Sequence, residues 1–242
     1  MSALGAEWGK LWSVPAPAAA LLGAGAVALV TTASLASDFV VDVGRGTVPA
    51  NAQLPLADAL TPAVQTALTL VATFALLPVT AEFASGSIRS TLWAQPRRVR
   101  VLNAKAAVVV ATVVPAGLLA ALTCRAAAVV LLAGHVSGAE LRPAAWVLDA
   151  LRTTVLFAAA ALLTLGLAAL LRSTAGTLGA AAGLLIAPVL LPDGASRWTP
   201  GGAGAQFVAW SGPDPTLCGV VLLGWAAATY AAGRWWFAHR DV

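Results

Sequence analysis

Between residues 104 and 133 the chain holds no acidic residue and, past Lys105, a single base, Arg125. That run is longer than the ~20 residues a helix needs to cross a bilayer. It has company: apolar segments stand out at 17–36, 62–81, 104–133, 146–171, 175–191 and 215–237, and only 175–191 is short. None alternates with a period of two, so the segments read as helices and not as barrel strands. Charged residues make up 10% of the 242, against roughly 25% in a soluble domain. A surface so poor in charge cannot face water. The sequence therefore predicts an all-α integral membrane protein, a single transmembrane domain over residues 1–242 with six transmembrane helices. Abundant Ala and Gly allow those helices to pack closely.

Orientation follows from the basic residues. With the N-terminus inside, the cytoplasmic parts hold nine: Lys10, Arg89, Arg97, Arg98, Arg100, Lys105, Arg172, Arg234 and Arg240. The outer parts hold four: Arg45, Arg142, Arg152 and Arg197. Seven of the ten acids fall outside, namely Asp38, Asp42, Asp58, Glu140, Asp149, Asp193 and Asp214. The expected topology is N-in, C-in. The net charge of +4 tempts one toward nucleic acid, but the bases track membrane sidedness, and no nucleic-acid partner is expected; the bilayer is. Lys10, the first apolar run and the small residues of "SLAS" (34–37) also match a secretory signal. Cleavage there would leave five spans; we read the run as a retained span. Ahead of it, Trp8 and Trp12 are four apart and share a helix face. That face suits either a helix lying in the cytoplasmic interface or plain Trp anchoring of the span.

Chemical motifs are scarce. No GxxxxGK[ST] phosphate loop occurs, so nucleotide is not bound by this chain through such a loop. The two histidines, His135 and His239, fall on opposite sides of the membrane, which excludes the usual His-pair metal site. There is no HExxH and no GxSxG. Cys124 and Cys218 lie near the outer ends of their spans. They are read as two lone thiols in apolar surroundings, with a disulfide as the alternative. No catalytic residue is visible, and the chain is not expected to be an enzyme.

The segment 80–105, "TAEFASGSIRSTLWAQPRRVRVLNAK", is the basic interruption between the second and third spans. Glu82 ends the second span. Ser85 and Gly86 look like a helix start, with Ile88 and Leu92 at i and i+4 and Arg89 beside them. Gln95-Pro96 then stops the helix, and Arg97, Arg98 and Arg100 follow before Lys105. A short helix held at both ends by spans is stiff and can act as a lever. The alternative is a positive-inside loop that only sets topology.

The order Glu82-Phe83, Ser85-Gly86-Ser87-Ile88-Arg89-Ser90-Thr91-Leu92, then Gln95-Pro96-Arg97-Arg98, then Lys105, resembles the cytoplasmic loop of type-2 ABC transporter permeases. The commoner family form is an acid, Gly-Thr, then Leu-x-x-Pro-x-x-Arg. Here Ser87 stands where Thr is usual, and Pro96 with Arg97-Arg98 occupies the step. The opening "EWGKLWS", the "RST" turn at 172–174 and the final "RDV" are also similar to the family, so the resemblance spans the full length.

The resemblance implies the membrane half of an ABC exporter in a bacterial plasma membrane. Two permease subunits, a second copy of this chain or a homologous one, would surround the path. Two copies of a separate ATP-binding subunit would dock beneath and bind the ATP and Mg, leaving this chain without a cofactor. The coupling helix between spans two and three would seat in the ATPase. Its residues are Glu82, Gly86, Ser87, Ile88, Arg89, Leu92, Pro96 and Arg97, with Ile88 and Leu92 entering the partner's groove and Glu82 and Arg89 orienting the helix. A path lined by Ala, Leu, Val and Thr favours amphipathic or apolar cargo, such as an antibiotic, a small peptide or a lipid.

Two other readings stand beside it: an ion-gradient-driven transporter and a non-transporting assembly subunit. The first needs ionisable groups at mid-depth, and spans one, two, five and six have no acid there. Arg125, Asp149 and Arg152 form an expected polar cluster toward the outer leaflet, with Arg125 snorkelling outward or pairing with Glu140 or Asp149. In the fifth span, Gly179 and Gly183 make a GxxxG that allows close contact within or between subunits. Pro188 and Pro192 bend and end that span. Residues 193–213 fit either a short helix in or re-entering the outer interface, anchored by Trp198 and Trp210, or a plain loop.

Overall fold

A computed structural model of the chain describes residues 3–95 and 97–239. Among them every regular element is helical. A short α1 (Ala3–Trp12) precedes α2 (Pro15–Gly44), α3 (Leu56–Ser85), the seven-residue α4 (Ile88–Ala94), α5 (Arg98–Leu131) and α6 (Pro143–Leu171). Then come α7 (Thr174–Leu185), a 3-10 turn (Ala187–Leu190), α8 (Asp193–Ser196), α9 (Pro200–Ala209) and α10 (Pro215–His239). Five of these, α2, α3, α5, α6 and α10, are long and apolar enough to cross a membrane. Arg240 and the rest of the "RDV" end lie outside the described residues.

The helix boundaries have local causes. Prolines open α2, α6, α9 and α10, where the missing N–H costs nothing. Ser173 caps α7 by accepting from Gly176 N at 3.3 Å, and Thr199 caps α9 by accepting from Gly202 N at 3.3 Å. Asp214 does the same for α10, accepting from Leu217 N at 3.0 Å. The Thr216 hydroxyl and the Leu217 N–H, both donating to Asp214, hold its carboxyl below the usual range. α3 ends on Gly86 at φ 72°, the left-handed region that favours glycine. The "RST" turn is real: Arg172 takes the left-handed conformation at φ 54° and Ser173 starts the next helix.

The long helices run past the apolar segments that announced them. α2 has 30 residues against an apolar stretch of 17–36. At ~1.5 Å per residue such a helix is ~45 Å long and outlasts a hydrocarbon core of ~30 Å.

The short fifth segment departs from expectation. Residues 175–191 do not form one spanning helix. α7 has 12 residues, ~18 Å of rise, and breaks at Ile186 ahead of Pro188. Pro188 has no N–H to give the carbonyl four residues back, so the α-helical ladder cannot run through it. The chain then folds back as α9. A Cβ on Gly201 would lie 2.1 Å from Leu185 O, and one on Gly202 2.4 Å from Ser196 O, so glycine is required at both. Residues 200–204 of α9 are buried, and the Gln65 amide donates to Gly201 O at 3.1 Å. Gln65 is nine residues along α3 from Leu56, ~14 Å in. Segment 193–213 is thus a packed hairpin between α3, α6 and α10, not a plain loop.

α3, α6 and α10 end together: Phe83, Arg172 and Phe237 meet, and Gly166 near the end of α6 faces Gly233 near the end of α10, so these three run parallel. α6 is central, with 67% of its apolar window buried, while α2 is peripheral at 22%. One end of the bundle brings together α1, α4, Phe83, Arg172 and Phe237: the two phenylalanine rings are 6.3 Å apart and the Arg172 guanidinium sits 5.0 Å from the Phe83 ring. The opposite end joins Leu54 N to His135 O and Leu56 N to the Glu140 carboxylate. α6 and α10 also approach closely, where Gly166 faces Gly233. Gly179 and Gly183, the expected close-packing pair, meet nothing within 4 Å of a built Cβ. Within this chain they are not a packing face. Cys124 and Cys218 are buried free thiols.

Candidate functional site

α4 is built by what brackets it. α3 stops at Gly86, and the Ser85 and Ser87 hydroxyls bond each other at 2.9 Å. Ser87 precedes α4, but its side chain caps nothing. The expected polar cap at Ser85-Gly86 is therefore a stop for α3, not a side-chain cap for α4. Pro96 lies outside the described residues. Arg97 is exposed just ahead of α5.

The faces of α4 are not those expected. Ile88 is 3% exposed and joins the hydrophobic core of its own chain, with Leu92 packed against that core. Ile88 cannot enter a partner's groove while it fills this one. The i, i+4 pair marked an apolar face correctly, but the chain's own core takes that face, with α3 immediately ahead of α4 in the chain. What α4 turns outward is Trp93, 88% exposed, together with Arg89.

Beneath α4 lies a charge network that joins four elements. Lys105 Nζ of α5 is 2.7 Å from Glu7 Oε2 of α1 and 2.9 Å from Glu82 Oε1 of α3. Lys10 Nζ of α1 reaches Glu82 Oε1 at 2.9 Å and Glu7 Oε1 at 3.3 Å, and donates to the Thr91 hydroxyl of α4 at 2.9 Å. Burial works against the Lys10 charge, but the Glu82 and Glu7 carboxylates outweigh it and raise its pKa above the usual lysine value. The Lys105 side chain is 2% exposed. Losing one member of such a buried pair leaves an uncompensated charge and costs ~3–5 kcal/mol.

Glu82 thus does more than orient α4 at the surface, and Lys105 is more than a topology signal. Glu7 enters the sequence reading only as part of the opening "EWGKLWS", with no role of its own. The available sign was its position: on α1, Leu4, Trp8 and Trp12 share the exposed face, so Glu7 and Leu11, also four apart, share the buried one. An acid on the inner face of an amphipathic helix demands a base.

The outer cluster also comes together. Arg125, 2% exposed, pairs with Asp149 and donates to Glu140 O. Arg152 lies 3.4 Å from Asp149, and its guanidinium stacks 3.9 Å from the Trp210 ring. Arg125 stays inside instead of snorkelling outward, because Asp149, Glu140 and the Trp146 ring at 5.5 Å surround it. The cluster clamps α5, α6 and the end of α9.

Comparison with known proteins gives no matching family model and no matching curated relative.

Proposed function

We propose that the chain is the membrane-spanning permease subunit of an ATP-driven ABC exporter, working with a second permease and two copies of a separate ATPase. The observation that carries this reading is α4. It is a seven-residue helix held between two membrane-length helices. Its inner side is tied by Thr91 and the buried network to α1, α3 and α5, and it turns Trp93 outward. A push on such a helix is delivered to three others at once, which is what a lever requires. Motion of the lever would shift the bundle between outward-closed and outward-open states. Six crossings with both termini inside fit the nine-to-four division of bases. In that arrangement the fifth crossing is composite, α7 rising from the cytoplasmic side and the 187–213 hairpin completing it. The cargo class is amphipathic or apolar, and the membrane a bacterial plasma membrane.

The test is co-purification and export. Trp93→Ala and Trp93→Asp should insert normally, yet release the ATPase or uncouple hydrolysis from export. Trp93→Asp with the ATPase bound and export at the wild-type rate removes the lever assignment. Export by the lone chain driven by a proton gradient replaces the ABC reading with the ion-driven one.

A further inference from the structure

The charge network borders a cavity of about 350 Å³ where α1 to α5 meet. Its polar end is lined by Ser87, Ser90 and Thr91, and its other end by Leu77, Pro78 and Val108. Leu77 lies one and a half turns of α3 before Glu82, ~8 Å deeper along the helix. The cavity is amphipathic along its length. A second cavity of about 260 Å³ shares Glu7, Lys10, Ser90 and Thr91 with the first. The Lys10–Thr91 bond is the wall between them.

Counting donors and acceptors decides what fits. Lys10 spends its three N–H groups on Glu7, Glu82 and Thr91. Lys105 is buried and held by Glu7 and Glu82. An entering anion finds all three N–H groups of the exposed Lys10 taken and meets the Glu7 and Glu82 carboxylates, which repel it. On the acceptor side, Glu82 Oε2 is buried without a hydrogen-bond partner, on a residue 9% exposed. A carboxylate oxygen only accepts, so whatever satisfies it must bring an N–H or O–H. Lys10, with its side chain 46% exposed, is the one member of the network free to swing out.

We propose that this cavity binds an amphiphile with a primary ammonium head. The ammonium donates to Glu82 Oε2 and takes the place of Lys10 at Oε1, so the buried charge stays balanced while Lys10 turns to solvent. The alkyl part lies on Leu77, Pro78 and Val108. Two sources share this chemistry, an aminophospholipid headgroup and a free alkylamine. The site stands on its own geometry and is tested by binding, without an ATPase or transport.

The experiment uses the full chain in phosphatidylcholine nanodiscs with nitroxide-labelled octadecylamine, phosphatidylethanolamine, phosphatidylcholine or phosphatidylglycerol. The readout is the motionally restricted fraction of each probe. Octadecylamine should be favoured over phosphatidylcholine, which has a cationic head but no N–H, by roughly tenfold or more, the weight of one charge-assisted hydrogen bond. A matching preference for phosphatidylethanolamine assigns the site to a lipid headgroup; preference for octadecylamine alone assigns it to a free amine. Equal restriction of all four probes, or preference for phosphatidylglycerol, overturns the proposal. Glu82→Gln should bring the amine down to the phosphatidylcholine level. Lys10→Gln should raise it by roughly twofold or more, since the internal competitor is gone. Should Glu82→Gln not fold, Lys10→Gln decides alone: an unchanged or lower amine preference overturns the site.

Discussion

Gly233 and Gly166 let α10 and α6 touch backbone to backbone. A Cβ on Gly233 would sit 2.4 Å from Gly166 O, a distance that only helix separation relieves. Gly233→Ala should therefore lose about 1–3 kcal/mol, read as a lower unfolding midpoint in detergent. Gly179→Ala is the control. Its Cβ meets open space, and alanine is the better helix former by about 1 kcal/mol, so the midpoint should hold or rise. Ile88 and Trp93 make a second contrast. Ile88→Ala empties a buried site and should lose about 2 kcal/mol or more. Trp93→Ala removes an exposed ring and should stay within about 0.5 kcal/mol. The same thermal unfolding series reads both, and a costly Trp93→Ala would place that ring against the chain's own core.

At the scale of elements, α4 depends on its tether. Lys10→Ala removes the bond to Thr91 and half the cation charge facing Glu7 and Glu82. Amide exchange should quicken across 88–94 while the middle of α3 and α5 stays protected. Unchanged exchange would mean that Ile88 alone holds α4 down. The pH dependence has a definite sign. Lys10 has a raised pKa in the fold, so its contribution is complete below the ordinary lysine value and lost as pH rises through the raised one. The tether should hold across neutral pH and release only in strongly alkaline solution, as seen by exchange at 88–94 corrected for its intrinsic rate.

For the molecule as a whole, the bases and the shared end of α3, α6 and α10 make one topology testable. A reporter active only in the cytoplasm should work after Val242 and within 94–100, and fail within 42–51 and within 211–214, the exposed turn ahead of α10. An external C-terminus would sink the N-in, C-in arrangement. The purified chain alone should neither bind nor hydrolyse ATP, since it has no phosphate loop; nucleotide protection of the lone chain against unfolding would contradict that.

Sequence by itself determined the solvent of this protein and the places of α2, α3, α5, α6 and α10. Hydropathy is a local property, and a membrane rewards it residue by residue. It also located the turn at Arg172 and the break near Pro188, because proline and capping residues act on their immediate neighbours. The tertiary structure alone decided the rest. Glu7 and Lys105 are 98 positions apart, and no local pattern pairs them. A GxxxG in an Ala-rich helix is frequent, but only a facing backbone makes a glycine necessary, and that backbone is α10 against Gly166, not a neighbour of Gly179. The i, i+4 pair on α4 announced an apolar face without saying which surface would claim it. Proline announced the end of α7, but that α9 would fold back onto it, with Gly201 against Leu185 O, was not in the local pattern.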